Sequence, residues 1–349
     1  MIKYYTKACN FYFGKNSIIK VKNKSSIPLH GNKLISFDSI EILSRKSKKK
    51  IHIKKIKQLK GEVKKKITSD INQIKKKKYF KNLNFSNNPI LMGILNLTPD
   101  SFSDGGRYNK KKRGVAHAKK LFSEGCKILD LGGESTRPGS KEVKANIEWQ
   151  RVLPTLSKVK KMKKFISLDT RKSIVMEKGI KNKVNLINDV SGLEYDQNTI
   201  NVLKRTKIPF VIHHMQGNPL TMQKNPKYKN IILDIYDFFE QKIQFLRSKG
   251  IRHNNIILDP GIGFGKNLKH NITLLRNISI FHSLGFPVML GTSRKRFIKD
   301  LCGVNDSKER LGGTISSSLF AMMQGVQILR VHDVNEVTQS IKVFNCLKF

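Results

Sequence analysis

From residue 89 to residue 349, eight short apolar runs alternate with helical patterns, and each run ends in polar residues. The runs cover residues 90–97, 127–132, 165–169, 185–189, 209–213, 255–259, 287–291 and 327–332. Several are near-continuous in branched and aliphatic residues, such as Ile256-Ile-Leu258 and Val288-Met-Leu290. Strands buried on both faces of a parallel sheet read this way. Helical periodicity fills the gaps, for example over Gly114–Gly125, Ser173–Lys181, Ile231–Arg247 and Val334–Leu347. Eight strand–helix alternations in a segment of this length predict an α/β fold, a (β/α)8 TIM barrel.

A barrel closes in a ring, so the polar strand ends converge on one face. The first run passes into Asn96-Leu-Thr-Pro-Asp100-Ser-Phe-Ser-Asp104-Gly-Gly106, and the second into Asp130-Leu-Gly-Gly-Glu-Ser-Thr-Arg-Pro-Gly139. The third ends in Ser167-Leu-Asp169, the fourth in Asn188-Asp189 and the fifth in His213-His-Met-Gln216. The last three end in Asp259-Pro-Gly-Ile-Gly-Phe-Gly-Lys266, Gly291-Thr-Ser-Arg-Lys295 and Arg330-Val-His332-Asp333. Charges and amides at buried strand ends are costly without partners or a ligand. One such end is weak evidence, whereas eight in succession point to a binding site. Plainer roles stay open for some of them. Asp189 and Asp333 can cap the following helices. His213 and His214 lack a third metal ligand at a recognised spacing and read as packed or hydrogen-bonded. Gly261–Gly265 lacks the spacing of a dinucleotide loop, and Ser293-Arg-Lys295 can be an exposed basic turn.

The formal charge is +43, carried by 54 Lys and only 14 Arg. Residues 1–88 hold 24 basic and 4 acidic residues, and residues 89–349 hold 44 and 21, so the excess runs through the whole chain. A general lysine bias accounts for this. Arginine, which dominates base recognition, is not enriched, and neither a stacking platform nor a helix-turn-helix pattern is present. No specific nucleic-acid partner is expected, only weak, salt-sensitive attraction to polyanions. Cys9, Cys126, Cys302 and Cys346 form no CxxC pair and suit a reducing compartment. No apolar run is long enough to span a bilayer, and Met-Ile-Lys-Tyr-Tyr-Thr-Lys at the start lacks a signal-peptide core. A cytoplasmic protein with no membrane association is expected.

The first quarter reads differently. Residues 1–44 carry short mixed runs (Phe11-Tyr-Phe13, Ser17-Ile-Ile19, Leu34-Ile-Ser-Phe37) with turn signals at Gly14 and Gly31, which suggests a small strand-rich unit. Residues 45–81 are lysine-dense, yet Ile56, Leu59, Val63, Ile67, Ile71 and Ile74 recur at steps of three or four. That predicts an amphipathic helix, weakened by Gly61, with its isoleucine stripe against the barrel or a second subunit. An arm that binds an acidic membrane or RNA, and partial disorder, stay open as alternatives. The division is thus a basic extension over 1–88 and a barrel over 89–349.

The segments Met92–Gly106 and Asp130–Gly139 resemble the two signatures of the dihydropteroate synthase family of pterin-binding barrels. Leu258–Lys266, Gly291–Lys295 and Arg330–Val334 resemble its later motifs. The resemblance implies that 6-hydroxymethyl-7,8-dihydropterin diphosphate condenses with 4-aminobenzoate to 7,8-dihydropteroate and diphosphate, with Mg2+ as cofactor. It implies that Asp259, Asn188 and Asp169 hold the pterin edge and that Lys295 serves the pterin acceptors and the aminobenzoate side. Arg330 and His332 would take the diphosphate, and Lys295, Arg330 and His332 would form the catalytic set. Asn96 matches the Mg2+ ligand. Asp100 and Asp104 fall in one candidate lid, Thr98–Gly106, and a second lid spans Ser135–Ser140. Thr136, Arg137 and Pro138 would line the aminobenzoate or diphosphate side, Phe264 would wall the aryl ring, and Ser293 with the following amides would hold the carboxylate. Members form homodimers and are sulfonamide targets, and the family gives the extension no catalytic role. A related pterin-binding barrel, methyltetrahydrofolate methyltransferase, is the alternative. Nothing here resembles a cobalamin-binding domain, and the Ser-Thr-Arg-Pro-Gly and Ser-Arg-Lys motifs favour the synthase.

Overall fold

Residues 5–52 alternate short apolar and polar stretches and build a small antiparallel sheet with one helix. In chain order these are β1 (Tyr5–Phe13), α1 (Gly14–Lys22), β2 (Ile27–Leu29), β3 (Asn32–Leu43) and β4 (Lys48–His52), followed by α2 (Gly61–Lys75). The structure is a computed structural model that describes residues 2–78, 80, 83–85, 89–98, 111–135, 139–217 and 221–348. The long β3 is the spine of the sheet: β1 pairs along one edge, and β2 and β4 share the other. Ile67, Ile71 and Ile74 of α2 bury against Phe37, Ile40 and Leu29, so the isoleucine stripe faces this sheet.

Three features of this unit differ from the sequence expectation. The isoleucine stripe packs on this sheet, where the expected cover is the barrel or a second subunit. Ser17-Ile-Ile19 is helical: the buried Ser17 hydroxyl donates to the Lys33 carbonyl and lies 2.8 Å from the Ser36 hydroxyl, while Ile18 and Ile19 face outward. The lysine-dense stripe is divided between β4, a 3-10 turn over Ile53–Gln58, and α2. Gly61 stands at φ +57°, a left-handed conformation that ends any continuous helix, so α2 starts there.

The eight strands of the barrel are β5 (Ile90–Asn96), β6 (Ile128–Gly132), β7 (Phe165–Asp169), β8 (Leu186–Asp189), β9 (Phe210–His213), β10 (Ile256–Asp259), β11 (Met289–Leu290) and β12 (Ile328–Val331). Helices alternate with them: α3 (Lys111–Ser123), α4 (Ala145–Val159), α5 (Ser173–Lys181), α6 (Thr199–Thr206), α7 (Ile231–Ser248), α8 (Leu268–Arg276), α9 (Arg296–Cys302), α10 (Leu311–Met323) and α11 (Val334–Lys348). All neighbouring strands are parallel, in the order β10-β9-β8-β7-β6-β5-β12-β11. A parallel bridge from Leu258 to Val288 closes the ring. This is the (β/α)8 barrel the alternation predicts, and all eight expected strands are present.

Strand periodicity sorts the side chains into two sets. Leu129, Leu131, Ile166, Leu168, Ile187, Phe210, Ile212, Ile256, Leu258 and Leu329 face the helices. Met92, Ile128, Phe165, Leu186, Val211, Ile257, Met289 and Ile328 fill a layer inside the barrel, one from each strand. Phe80 and Leu83, joined by an antiparallel bridge, belong to that inner layer and close the floor of the barrel.

The N-terminal unit docks on the barrel flank formed by α7 and the 3-10 segment Ile278–Leu284. Tyr5 is fully buried, its ring edge-on to Tyr236 at 5.1 Å, and its hydroxyl donates to Asp237 at 2.9 Å. Ser279 donates to the Ala8 carbonyl at 2.9 Å. Around this core, Lys3 pairs with Asp237 and Glu240, and Arg45 with Asp234 and Asp237. Both cations are largely exposed, so these pairs orient the seam more than they hold it. No helix among the described residues is long and apolar enough to cross a membrane. Tyr5→Ala is expected to cost about 3–5 kcal/mol in urea unfolding, whereas Lys3→Ala is expected to cost less than about 1 kcal/mol. Equal losses would refute this division between core and rim.

Candidate active site

The alternation that puts Ile128, Phe165, Leu186, Val211, Ile257 and Ile328 inside the barrel also decides what its upper end contains. Two residues on from each, the inward positions hold Asp130, Ser167, Asn188, His213, Asp259 and Arg330. One further step on β7 and β12 gives Asp169 and His332. All eight belong to buried or half-buried residues in the mouth of the barrel.

Arg330 is the cation at the centre. Its Nε donates to Asp130 Oδ2 at 2.7 Å and one terminal nitrogen donates to Asp169 Oδ2 at 2.7 Å. Asn188 Nδ2 donates to the same Asp130 oxygen at 3.0 Å. One guanidinium thus serves two carboxylates. Burial pushes the Asp169 carboxyl up, Arg330 pulls it down, and the Asp130 charge adds to the rise. Asp259 takes the Gly261 N–H on Oδ1 at 2.8 Å, and burial lifts its carboxyl to about 6.

Asn188, His213, Asp259, Phe264, Lys295 and Arg330 line one pocket, with Val190, Ile262 and Gly291 as its remaining walls. The Lys295 ammonium stands 4.0 Å from the Phe264 ring centroid, and His213 meets the same ring edge-on at 4.5 Å. Burial, and then the cations Lys266, Lys295 and Arg330, hold the His213 imidazole well below its usual range, so it is neutral near pH 7. Asn188 Oδ1, Asp130 Oδ1 and His213 Nδ1 are buried without a hydrogen-bond partner. Unsatisfied polar atoms at a strand-end pocket mark a place for a ligand.

The glycines after β10 have steric reasons. A Cβ on Gly261 would lie 2.0 Å from the His214 carbonyl, and one on Gly263 would press on the Lys295 stem at 3.2 Å. Lys266 runs back beneath this loop, donating to the Phe264 carbonyl at 2.8 Å, with its Nζ 2.9 Å from His214 Nδ1. Burial pushes its amine far below the usual range.

Ser293 accepts the His332 N–H at 3.2 Å, and its Oγ is 3.0 Å from His332 Nδ1, so it holds this imidazole in place. Arg294 pairs with Asp333 and Asp189 accepts from Ser191, so neither aspartate caps a helix with its carboxylate. Asn96 ends β5 next to Gly132, half-buried. Thr136, Arg137, Pro138, Asp100 and Asp104 lie outside the described residues, as does most of each candidate lid.

Asp130, Glu134 and Lys266 were not assigned roles from sequence. Glu134 takes Arg171 through both oxygens, at 3.0 and 3.2 Å, and Lys172 at 2.9 Å, and Lys172 continues to the fully buried Glu148. This network ties the loop after β6 to the loop after β7. The available signal was an acidic residue inside or beside an apolar run, clearest for Asp130 between Leu129 and Leu131.

A larger cleft, about 900 Å3, lies at the opposite end of the barrel among Ile90, Phe165 and a rim of lysines. None of the strand-end polar groups lines it.

Residues 92–332 match the family model described as "Pterin binding enzyme". The Escherichia coli (strain K12) dihydropteroate synthase is 42% identical over 256 residues, covering 73% of this chain and 90% of that protein. Among solved structures, the Yersinia pestis dihydropteroate synthase in a sulfonamide drug complex superposes with a TM-score of 0.72 at 39% identity, covering 76% of this chain and 96% of that one. The Xanthomonas albilineans enzyme with 4-aminobenzoic acid gives 0.70 at 35% identity, with 76% and 94% covered. Through its barrel, the residues gathered at its mouth and these relatives, the chain belongs to the pterin-binding enzyme family and, within it, to the dihydropteroate synthases.

Proposed function

We propose an assignment of roles at this site for the dihydropteroate synthase reaction, which makes the protein a transferase of folate biosynthesis. The amine of 4-aminobenzoate replaces diphosphate on 6-hydroxymethyl-7,8-dihydropterin diphosphate. The observation that carries the assignment is the pocket shared by Asp259, Asn188, Lys295 and Arg330, with buried unpaired acceptors facing it.

A pterin ring offers an amino–amide edge of adjacent donors, and an ionised carboxylate accepts two such bonds. Asp259 takes this part, with Asn188 and Asp169 completing the edge. Lys295 donates to the ring acceptors and, lying over Phe264, borders the aryl side. Phe264 supplies the apolar wall. Arg330 and His332 face the leaving diphosphate, and Ser293 contributes by holding His332. By the family resemblance, Ser293 with the amides that follow would hold the aminobenzoate carboxylate, Thr136, Arg137 and Pro138 would line the aminobenzoate or diphosphate side, and Asp100 and Asp104 would fall in a lid. An arylamine is already neutral at pH 7, so the site needs no strong base. Its work is positioning, water exclusion and stabilisation of the departing charge.

Asn96 is the residue that would hold Mg2+. Its amide is a neutral oxygen donor at a strand end, and no cluster of three His, Cys, Asp or Glu that could bind a metal exists among the described residues. One protein oxygen, with diphosphate oxygens and waters, suits a cation that retains much of its water. When bound, Mg2+ would supply charge to the leaving diphosphate.

Residues 1–88 are read as an extension outside the catalytic unit, supported by the separate core of β1–β4 and α2. A homodimer is supported by exposed Phe320 and Met323 on α10 beside Val343 and Leu347 on α11. The free thiols Cys9, Cys126, Cys302 and Cys346 support a reducing, cytoplasmic setting.

Purified protein with both substrates and Mg2+ should form dihydropteroate, followed by mass, and the product should vanish with EDTA. Absence of product at any Mg2+ concentration would overturn the assignment. In the same assay Lys295→Ala should abolish turnover with the melting temperature kept, and wild-type turnover would remove Lys295 from its role. The pterin edge needs Asp259 ionised. Since its carboxyl lies at about 6, kcat/KM for the pterin substrate should fall as pH drops through about 6 and level off above it. A flat profile from pH 5 to 8 would exclude Asp259 as the acceptor.

A further inference from the structure

We infer that Asp130 is a positioning residue that fixes the orientation of the Asn188 amide, and with it the hydrogen-bonding character that the pocket offers the pterin edge. The inference rests on the dihydropteroate synthase reading of the site.

Asp130 sits inside β6, fully buried, two residues before the strand ends. Its Oδ2 receives two donors from two other strands, Arg330 Nε on β12 at 2.7 Å and Asn188 Nδ2 on β8 at 3.0 Å. A carboxylate only accepts hydrogen bonds. An Asn amide beside it must therefore turn its NH2 toward the carboxylate, because the reverse orientation would set two acceptors against each other in a buried site. Once the NH2 is committed, the amide oxygen points elsewhere. Asn188 Oδ1 is indeed buried without a partner, and Asn188 lines the pocket. Asp130 thus dictates that Asn188 meets a ligand as an acceptor, so this position of the pocket selects a ring edge that presents an N–H.

The same carboxylate restrains Arg330. With Nε on Asp130 and a terminal nitrogen on Asp169, the guanidinium plane is held from two sides. Asp130 does not line the pocket. It acts through Asn188 and Arg330.

The test uses the full-length protein and binding of 6-hydroxymethyl-7,8-dihydropterin diphosphate with Mg2+ by calorimetry, together with steady-state kinetics. Asp130→Asn has nearly the shape of the original, but its amide lets Asn188 turn over. Its Kd and KM for the pterin substrate are expected to rise at least tenfold, with KM for 4-aminobenzoate within about twofold of wild type. The reversed pair, Asp130→Asn with Asn188→Asp, restores the pattern. The Asn at 130 donates to the Asp at 188 and accepts from Arg330, and the Asp at 188 offers its second oxygen to the pocket. This double variant should bind the pterin substrate within about threefold of wild type. An Asp130→Asn enzyme that binds as wild type does, or a double variant no better than the single one, would overturn the inference. If Asp130→Asn does not fold, Asn188→Asp alone is compared with the double variant. The inference requires the single change to bind more weakly, and the opposite order refutes it. Failure of wild-type protein to bind this ligand would instead strike at the functional reading, so the two failures are distinct.

Discussion

The top of the barrel depends on one buried ion cluster, the Arg330 guanidinium held between Asp130 and Asp169. Three strands meet there, and Asn188 joins a fourth. Buried charges are tolerable only when paired and hydrogen-bonded, and removing one partner from such a cluster typically costs about 3–5 kcal/mol. The cluster is therefore weak as a source of net stability and strong as a constraint on geometry. It decides where the remaining polar groups point before any substrate arrives. Preorganisation of this sort suits a reaction whose catalysis is mostly positioning and electrostatics.

The two ends of the barrel divide the labour. At the floor, one apolar side chain from each strand packs in a layer closed by Phe80 and Leu83. At the mouth, the same inward positions two residues later carry charge or amide groups. A shift of a single residue in register would exchange inward and outward sets, placing leucines in the pocket and carboxylates under the helices. The apolar floor thus enforces the register on which the polar mouth depends.

Much of this was legible in the chain. Apolar runs of four to eight residues, each with a polar end, announce buried parallel strands, and all eight fall where the alternation puts them. Asp259, Asn188, Lys295 and Arg330 share a pocket because strand period and ring closure bring them together. What escaped was pairwise. That Ser293 holds His332, that Asp189 turns to Ser191, or that Lys266 runs back beneath its own loop depends on side-chain directions with no linear pattern. In the first quarter, a stripe with helical spacing across residues 56–74 was divided by a backbone break in which Leu59 and Lys60 are extended and Gly61 has a positive φ. Periodicity records which side faces the core, but it does not record where the backbone breaks.

The docking of the N-terminal unit bears on chain entropy. Tyr5 reaches Asp237 and His30 reaches His282 across separations of 232 and 252 residues. The seam between β5 and β12, where Ile90 pairs with Ile328, closes a loop that overlaps both of these. Loop-closure entropy is spent when distant segments first meet and grows only slowly with their separation. Once the seam is made, the route from His30 to His282 runs through it and spans roughly 106 residues instead of 252. The logarithm keeps that reduction below about 1 kcal/mol. Each contact thus eases the other only modestly, and the extension acts as a clasp that joins the first quarter of the chain to the later half of the ring.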